Sequence, residues 1–308
     1  MKPILRFLFI GSFVLLLSLY FCSCGNNKPH TKITGKMDSS IRNNGVVINY
    51  NDSKIGDTVL FFIHGWGINQ SYWAKQASFF SNHYRVITID LPGFGKSGKN
   101  RTSWTVEEYA KDVNTVIRAL NLKNVVLIGH SMSGSIIVES AITYPKLIIG
   151  LVGVDNLKNI GLILTPQMEK EWAEAYADIR RHFKANVLEE RKHLFSPSTD
   201  SAIQQRVLKD ILSSDSVIAA NCLEDLDKYP FLEKLKLLHK PLYLINSDYH
   251  PTDTLAFEKN QIEYHLLNMG PTGHYPMLES PDRFNQLLKL AITKMTSNSR
   301  NAKESPSF

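Results

Sequence analysis

A chain of 308 residues, 43% hydrophobic and 21% charged, is long enough to bury a core without staples and too apolar to be disordered. Its net charge of +6 comes without any run of Lys or Arg, so nothing points to nucleic acid as a partner. Three cysteines, at 22, 24 and 222, make neither a disulfide framework nor a zinc site.

Lys2 and Arg6 precede an apolar stretch from Phe7 to Phe21. A basic head followed by an apolar segment of this length predicts a targeting signal over 1–24. The stretch is short for a membrane span, which needs about 20 apolar residues. Ser23-Cys24-Gly25-Asn26-Asn27, a small residue, a cysteine and then polar chain, resembles a bacterial lipoprotein signal. That resemblance implies acylation of Cys24 and an exported domain held at the membrane. An uncleaved anchor, or cleavage to an unanchored exported protein, are the alternatives. Residues 25–44, rich in Asn, Lys, Ser and Gly, read as a flexible tether.

Beyond the tether, strands and helices alternate. Val46–Tyr50, Thr58–Ile63, Tyr84–Ile89 and Asn124–Ile128 are short β-branched and aromatic runs bounded by Asn, Asp or Gly. Ile148–Val154 and Pro241–Ile245 follow the same form, and Gln261–Leu267 alternates as an outer strand does. Thr105–Leu120 carries apolar residues at helical spacing, with Thr105 and Glu108 placed for a capping box. Such alternation predicts an α/β fold with a mostly parallel sheet covered on both faces. From 157 to 240 no strand is recognisable, while 166–185, 201–212 and 216–228 have helical patterning. The organisation expected is therefore a core over 45–156, a helical cap over 157–240, a second part of the core over 241–296 and a frayed tail over 297–308.

The chemistry gathers at strand ends. Val125–Ile128 runs into Gly129-His130-Ser131-Met132-Ser133-Gly134 and then a helix, the pattern of a nucleophile elbow. So sharp a turn needs small residues two before and two after the serine, and Gly129 and Ser133 supply them. The turn would lift the Ser131 hydroxyl clear of the sheet at a helix N-terminus, where negative charge is favoured. His64-Gly65-Trp66-Gly67 follows another strand, and the backbone amides of Trp66 and Met132 are the natural pair of oxyanion donors. His64 and Asp90, the latter in Asp90-Leu91-Pro92-Gly93, read as packing and turn residues rather than catalysts. His274 lies in a Gly-containing loop after the last strand and downstream of the serine, as a general base would. Cys222 reads as a small buried hydrophobe. The cap aromatics Trp172, Tyr176, Phe183 and Phe195 read as core between helices more than as a binding surface.

Four segments together, the strand with His64-Gly65-Trp66-Gly67, Ile89–Gly98, Gly129–Gly134 and Gly273–Pro281, resemble the α/β-hydrolase fold superfamily in its branch with a helical cap. The resemblance runs from about Val46 to Ala291. It implies a central sheet flanked by helices on both faces, with the cap inserted after the strand at 148–154, the family's sixth. It also implies Ser131 as nucleophile, His274 as base, and Trp66 and Met132 at the oxyanion positions. The family usually takes its acid from the loop after the strand at 241–245, where this chain has His250 in the expected slot. Asp155, directly after 148–154, at a position that some members use, including certain haloalkane dehalogenases, is therefore the expected acid, with Asp248 as the alternative. Asp248 lies in the usual loop, and Asp253 is a further option, as is the lack of any acid. Loss of the acid is expected to lower turnover drastically and leave the fold intact.

A serine nucleophile, a histidine base and an amide oxyanion hole suit acyl transfer. Relatives acting on epoxides or haloalkanes use an aspartate nucleophile, so Ser131 points instead to a serine esterase. The expected substrate is a small acyl compound, with amide and carbon–carbon bond hydrolysis as neighbouring reactions. No metal or other cofactor is expected, since no His-x-x-x-His or Cys/His cluster occurs. The contrasting expectation is a non-catalytic binding protein on the same scaffold, because fold alone does not fix function.

Overall fold

The structure, a computed structural model, describes residues 39–304. The proposed signal and Cys24 lie outside the described residues. Part of the expected tether does not: Ser39–Asn43 forms strand β1, paired antiparallel with β2 (Val46–Asp52). Asn44 and Gly45, at φ 47° and 83°, make the two-residue turn between them. Two consecutive positive φ values favour Asn-Gly, and their twist suits a hairpin.

Six parallel strands continue the sheet: β3 (Val59–Ile63), β4 (Arg85–Ile89), β5 (Val125–His130), β6 (Ile148–Val154), β7 (Leu242–Asn246) and β8 (His265–Asn268). The spatial order is β1-β2-β4-β3-β5-β6-β7-β8, with β2 antiparallel to β4 and every later pair parallel. β3, β5 and β7 are buried along their whole length, as strands covered on both faces must be. β8 starts at His265, not at Gln261, and is largely exposed at the sheet edge.

Side chains alternate across the sheet. Leu60, Phe62, Val126, Ile128, Val152 and Val154 pack toward α1 (Ala74–Phe80) and the C-terminal helix. Phe61, Ile63, Leu127 and Leu151 face α2 (Val106–Ala119) and α3 (Ser133–Thr143). Period-two alternation thus builds a core on each face. Thr105 caps α2 by accepting from the Glu108 amide at 3.3 Å. The Glu108 carboxylate turns to Lys111 at 2.6 Å, so of the expected box the N-cap bond is the half observed.

Between β6 and β7 come α4 (Pro166–Leu194), α5 (Ser201–Leu212), α6 (Ser216–Asp227) and α7 (Phe231–Leu235). α4 runs past the expected end at 185, bending at His182, whose φ of −128° is not helical. After β7 come α8 (Thr254–Lys259), α9 (Pro276–Glu279) and α10 (Pro281–Glu304). α10 therefore continues past 297, where sequence suggests fraying. Among the described residues no helix is long and apolar enough to cross a membrane. The sheet is thus that of an α/β-hydrolase fold, with the cap standing over the C-terminal ends of its parallel strands, where open α/β sheets place ligands.

Candidate active site

Ser131 follows β5 directly and has φ 53°, a left-handed conformation that a non-glycine residue holds at a cost of roughly 1–3 kcal/mol. Several bonds impose it. The Ser131 amide donates to the Val154 carbonyl at 3.0 Å. Its carbonyl accepts from Gly134 N at 2.9 Å and from Asn156 Nδ2 at 3.2 Å. A Cβ at Gly129 would lie 2.5 Å from the Ser133 carbonyl oxygen, so glycine is required there. Ser133, two residues after Ser131, donates its hydroxyl to the His64 carbonyl at 2.5 Å and ties the elbow to the neighbouring strand end.

His274 reaches this serine from 143 residues away in sequence: its Nε2 is 2.8 Å from Ser131 Oγ. Nδ1 of the same ring is 2.7 Å from Asp155 Oδ2. Of the carboxylates left open by sequence, Asp155 is the one brought to His274. Asp248 is exposed, and Asp253 accepts from the Ala256 amide as the N-cap of α8. β6 and β7 are adjacent, with Val154 paired to Ile245, so the loops that follow both strands converge beside His274.

Asp155 has a second set of partners that sequence gave no sign of. Its Oδ1 accepts from the Ser247 amide at 2.9 Å and the Ser247 hydroxyl at 2.8 Å, and lies 2.6 Å from Lys158 Nζ. Lys158 is 1% exposed and also donates to the Ser247 carbonyl at 3.2 Å. Burial by itself would raise the Asp155 pKa, but the Lys158 charge and then His274 outweigh it and hold the carboxylate far below its usual range. A carboxylate fixed as an anion can only accept from Nδ1, so Nδ1–H donates to it and Nε2 is left to accept the serine proton.

The His274 backbone is clamped as firmly as its ring. Its amide donates to the Leu194 carbonyl at the end of α4, 2.8 Å away, and its carbonyl accepts from His130 Nε2 at 2.7 Å. Glu279 accepts from the amides of Gly273 (2.9 Å) and Tyr275 (3.2 Å) and from the Thr199 hydroxyl (2.6 Å). Cap and core therefore hold the same loop. Pro276–Glu279 forms α9, so the glutamate closing the Gly-His-Tyr-Pro-Met-Leu-Glu run is a structural latch, visible in sequence only as part of the motif.

Among the described residues, the backbone N–H groups of Trp66 and Met132 donate to no protein acceptor. Both residues line the cavity that contains Ser131, and the Trp66 ring is anchored by its Nε1 to the Ala219 carbonyl at 2.8 Å. Two amides without acceptors in the lining of the cavity that holds Ser131 are available to donate to an oxyanion. His64 accepts from the Leu91 amide at 2.9 Å, and Asp90 accepts from the amides of Gln70 and Lys96, so both are turn and packing residues. Cys222 is buried against the Tyr109 hydroxyl, and burial pushes its thiol up to about 12.

The inner cavity has a volume of ≈ 120 Å³. Leu157, Ile160, Leu194, Leu223 and Phe231 give it apolar walls. A second cavity of ≈ 650 Å³ opens farther out under the cap. Trp172 and Tyr176 are buried among the cap helices, as expected, but they also line this outer space. His250, in the slot where sequence looks for an acid, is lowered to about 4 by burial and then by the Lys158 charge.

His130 is fully buried, and burial and then His274 lower it to about 3, against 6.5 in the unfolded chain. Between those values the unfolded state binds the extra proton. Stability present above pH 6.5 is therefore lost as pH falls toward the folded value. The advantage of wild type over His130→Gln is expected to shrink by about 1.4 kcal/mol per pH unit below 6.5. Urea midpoints of the two proteins from pH 7.5 to 4 test this, and a constant difference would contradict it.

A family model described as "alpha/beta hydrolase fold" matches residues 58–279. A pimeloyl-[acyl-carrier protein] methyl ester esterase of Wigglesworthia glossinidia brevipalpis is 33% identical over 102 residues, 33% of this chain and 37% of that protein. A 2-hydroxy-6-oxononadienedioate/2-hydroxy-6-oxononatrienedioate hydrolase of a Pseudomonas species is 27% identical over 259 residues, 78% of this chain and 90% of that protein. Among solved structures, a bromoperoxidase from Bacillus anthracis superposes with a TM-score of 0.73 at 20% identity, covering 84% of this chain and 100% of that one. At that identity the likeness is one of fold.

Proposed function

We propose that this chain, which belongs to the alpha/beta hydrolase fold family, is a serine hydrolase that cleaves carboxylic esters through an acyl-enzyme. The observation that carries the reading is the continuous line Ser131 Oγ, His274 Nε2, His274 Nδ1 and Asp155 Oδ2, with contacts of 2.8 and 2.7 Å. Ser131 Oγ attacks the ester carbonyl carbon while His274 Nε2 takes its proton. Negative charge on the carbonyl oxygen is met by the Trp66 and Met132 amides, and the imidazolium by Asp155. The carbon–oxygen bond to the leaving alcohol breaks as His274 returns the proton to that oxygen. Water, deprotonated by the same imidazole, then cleaves the acyl-enzyme and restores Ser131.

Two features support an enzyme over a binding protein on the same scaffold. A serine kept at φ 53° and a pair of amides without acceptors are both costly to a fold that makes no use of them. Carbon–carbon bond hydrolysis, named for the Pseudomonas relative, is the second reading. That relative's name specifies a dicarboxylate. In the inner cavity here the one Lys or Arg in the lining is Lys158, already bound to Asp155, while Asp227 adds an acid. An uncharged ester suits these walls better than a diacid.

The test is release of p-nitrophenol from acetate, butyrate and hexanoate esters, and from the half-ester of adipate. Turnover is expected on all three neutral esters. The adipate half-ester is expected to fall below hexanoate in kcat/KM by about tenfold or more, from an unpaired carboxylate entering a poorly solvated site. Failure to turn over any neutral ester would overturn the esterase reading, and a preference for the adipate compound would favour the diacid hydrolase.

A further inference from the structure

The inner and outer cavities share a wall. Asn159, Ile160, Asp227, Tyr229 and Phe231 line both, so a ligand reaching out from Ser131 passes Asp227. Asp227 ends α6, and its carboxylate has no hydrogen bond or ion pair to any described residue. Burial, with no charge to oppose it, pushes its pKa well above the usual carboxylate range. Without a cation beside it the neutral acid is favoured, and a cation placed in the cleft would lower that pKa again and be met by a carboxylate that no protein group already holds.

The rest of the outer cavity has the same sign. Its one Lys or Arg is Lys228, held by Glu224 at 2.8 Å, and Glu224 is also bound to Arg180. Glu169 and Glu233 add carboxylates to the lining. Trp172, Tyr176 and Phe231 give it aromatic surface, and the buried Tyr176 hydroxyl has no partner of its own. Leu162 and Leu164 complete an apolar side. Acid, aromatic and aliphatic walls without a free cation are the surroundings that favour an alkylammonium group.

We propose that the outer cavity is a subsite for a cationic amine or quaternary ammonium carried on the part of the substrate distal to the scissile bond, with Asp227 as its counter-ion. This rests on the ester-hydrolase reading of the inner cavity and narrows it to esters with a positively charged distal group.

Calorimetric titration with hexyltrimethylammonium, 1-hexanol and hexanoate tests the subsite without depending on turnover. Wild type is expected to bind the ammonium about tenfold or more tightly than the alcohol or the carboxylate. In Asp227→Asn, which removes a partly buried carboxyl without a protein partner and so is not expected to weaken the fold, the ratio of ammonium to alcohol affinity is expected to fall to about threefold or less. Equal affinity for all three probes, or a preference for ammonium that survives in Asp227→Asn, would overturn the subsite. If wild type hydrolyses neutral esters but shows no ammonium preference, the subsite alone fails. If it hydrolyses no ester at all, the hydrolase reading fails and the titration still decides what Asp227 binds.

Discussion

Asp155→Asn is expected to lower kcat on p-nitrophenyl butyrate by about 10⁴-fold, because an amide at this position stabilises the wrong tautomer of the base and cannot balance an imidazolium. Asp248→Asn, at an exposed position in the neighbouring loop, is expected to change kcat little. The sequence alone suggests that loss of the acid spares the fold, and the structure gives a reason to expect otherwise. Asp155 is also the counter-ion of Lys158, at 2.6 Å and with both side chains almost wholly buried. Removing one partner of a buried pair leaves the other charge unmatched, at a cost of roughly 3–5 kcal/mol. Asp155→Asn is therefore expected to be both inactive and less stable. The double variant Asp155→Asn/Lys158→Met separates the two effects: urea stability is expected to recover toward wild type while kcat stays low. Recovery of activity in the double variant, or full stability in the single one, would contradict this division of roles.

Ser131→Ala is expected to reduce turnover further, on the order of 10⁶-fold, since it removes the hydroxyl that is hydrogen-bonded to His274 Nε2. Stability is expected to stay close to that of wild type. The strained backbone at φ 53° is kept by Gly129, Asn156 and the Val154 carbonyl rather than by the hydroxyl. A variant with residual turnover of a few per cent would mean that Ser131 assists the chemistry rather than carrying it.

The sheet was legible because its central strands are short apolar runs with clear punctuation, as in Val59–Ile63 and Val125–His130. Ser131 and His274 were legible for a different reason. Each stands in a local pattern that its own backbone requires: Gly129 and Ser133 around the elbow, Gly273 before the base. A Cβ at Gly273 would meet the Leu194 carbonyl oxygen at 2.8 Å, so the glycine marks where the cap grips the loop. The carboxylate partner of His274 was legible only in part, as Asp155 first with Asp248 as the alternative, because it is chosen by the meeting of two strand ends in space. Asp155 and Asp248 flank the same point, and what separates them is that β6 lies inside β7 in the sheet. Lys158 gave no signal, since a lysine turned inward from a loop breaks no periodicity. β1 was hidden because Ser39–Asn43 alternates half-buried and exposed residues in a polar stretch, with one apolar side chain, Ile41. Boundaries drifted where helices outran their patterns, as α4 does beyond His182 and α10 beyond 297.

The claim on which the rest depends is that the Ser131 hydroxyl is made nucleophilic by His274. Intact-protein and peptide mass spectrometry after exposure to a fluorophosphonate tests it most directly, because the reagent traps an activated serine without requiring the natural substrate. The expected result is one phosphonyl group per chain, on the peptide bearing Ser131, absent from Ser131→Ala and formed far more slowly in His274→Gln. An unmodified wild type, or an adduct that persists in Ser131→Ala, would contradict it.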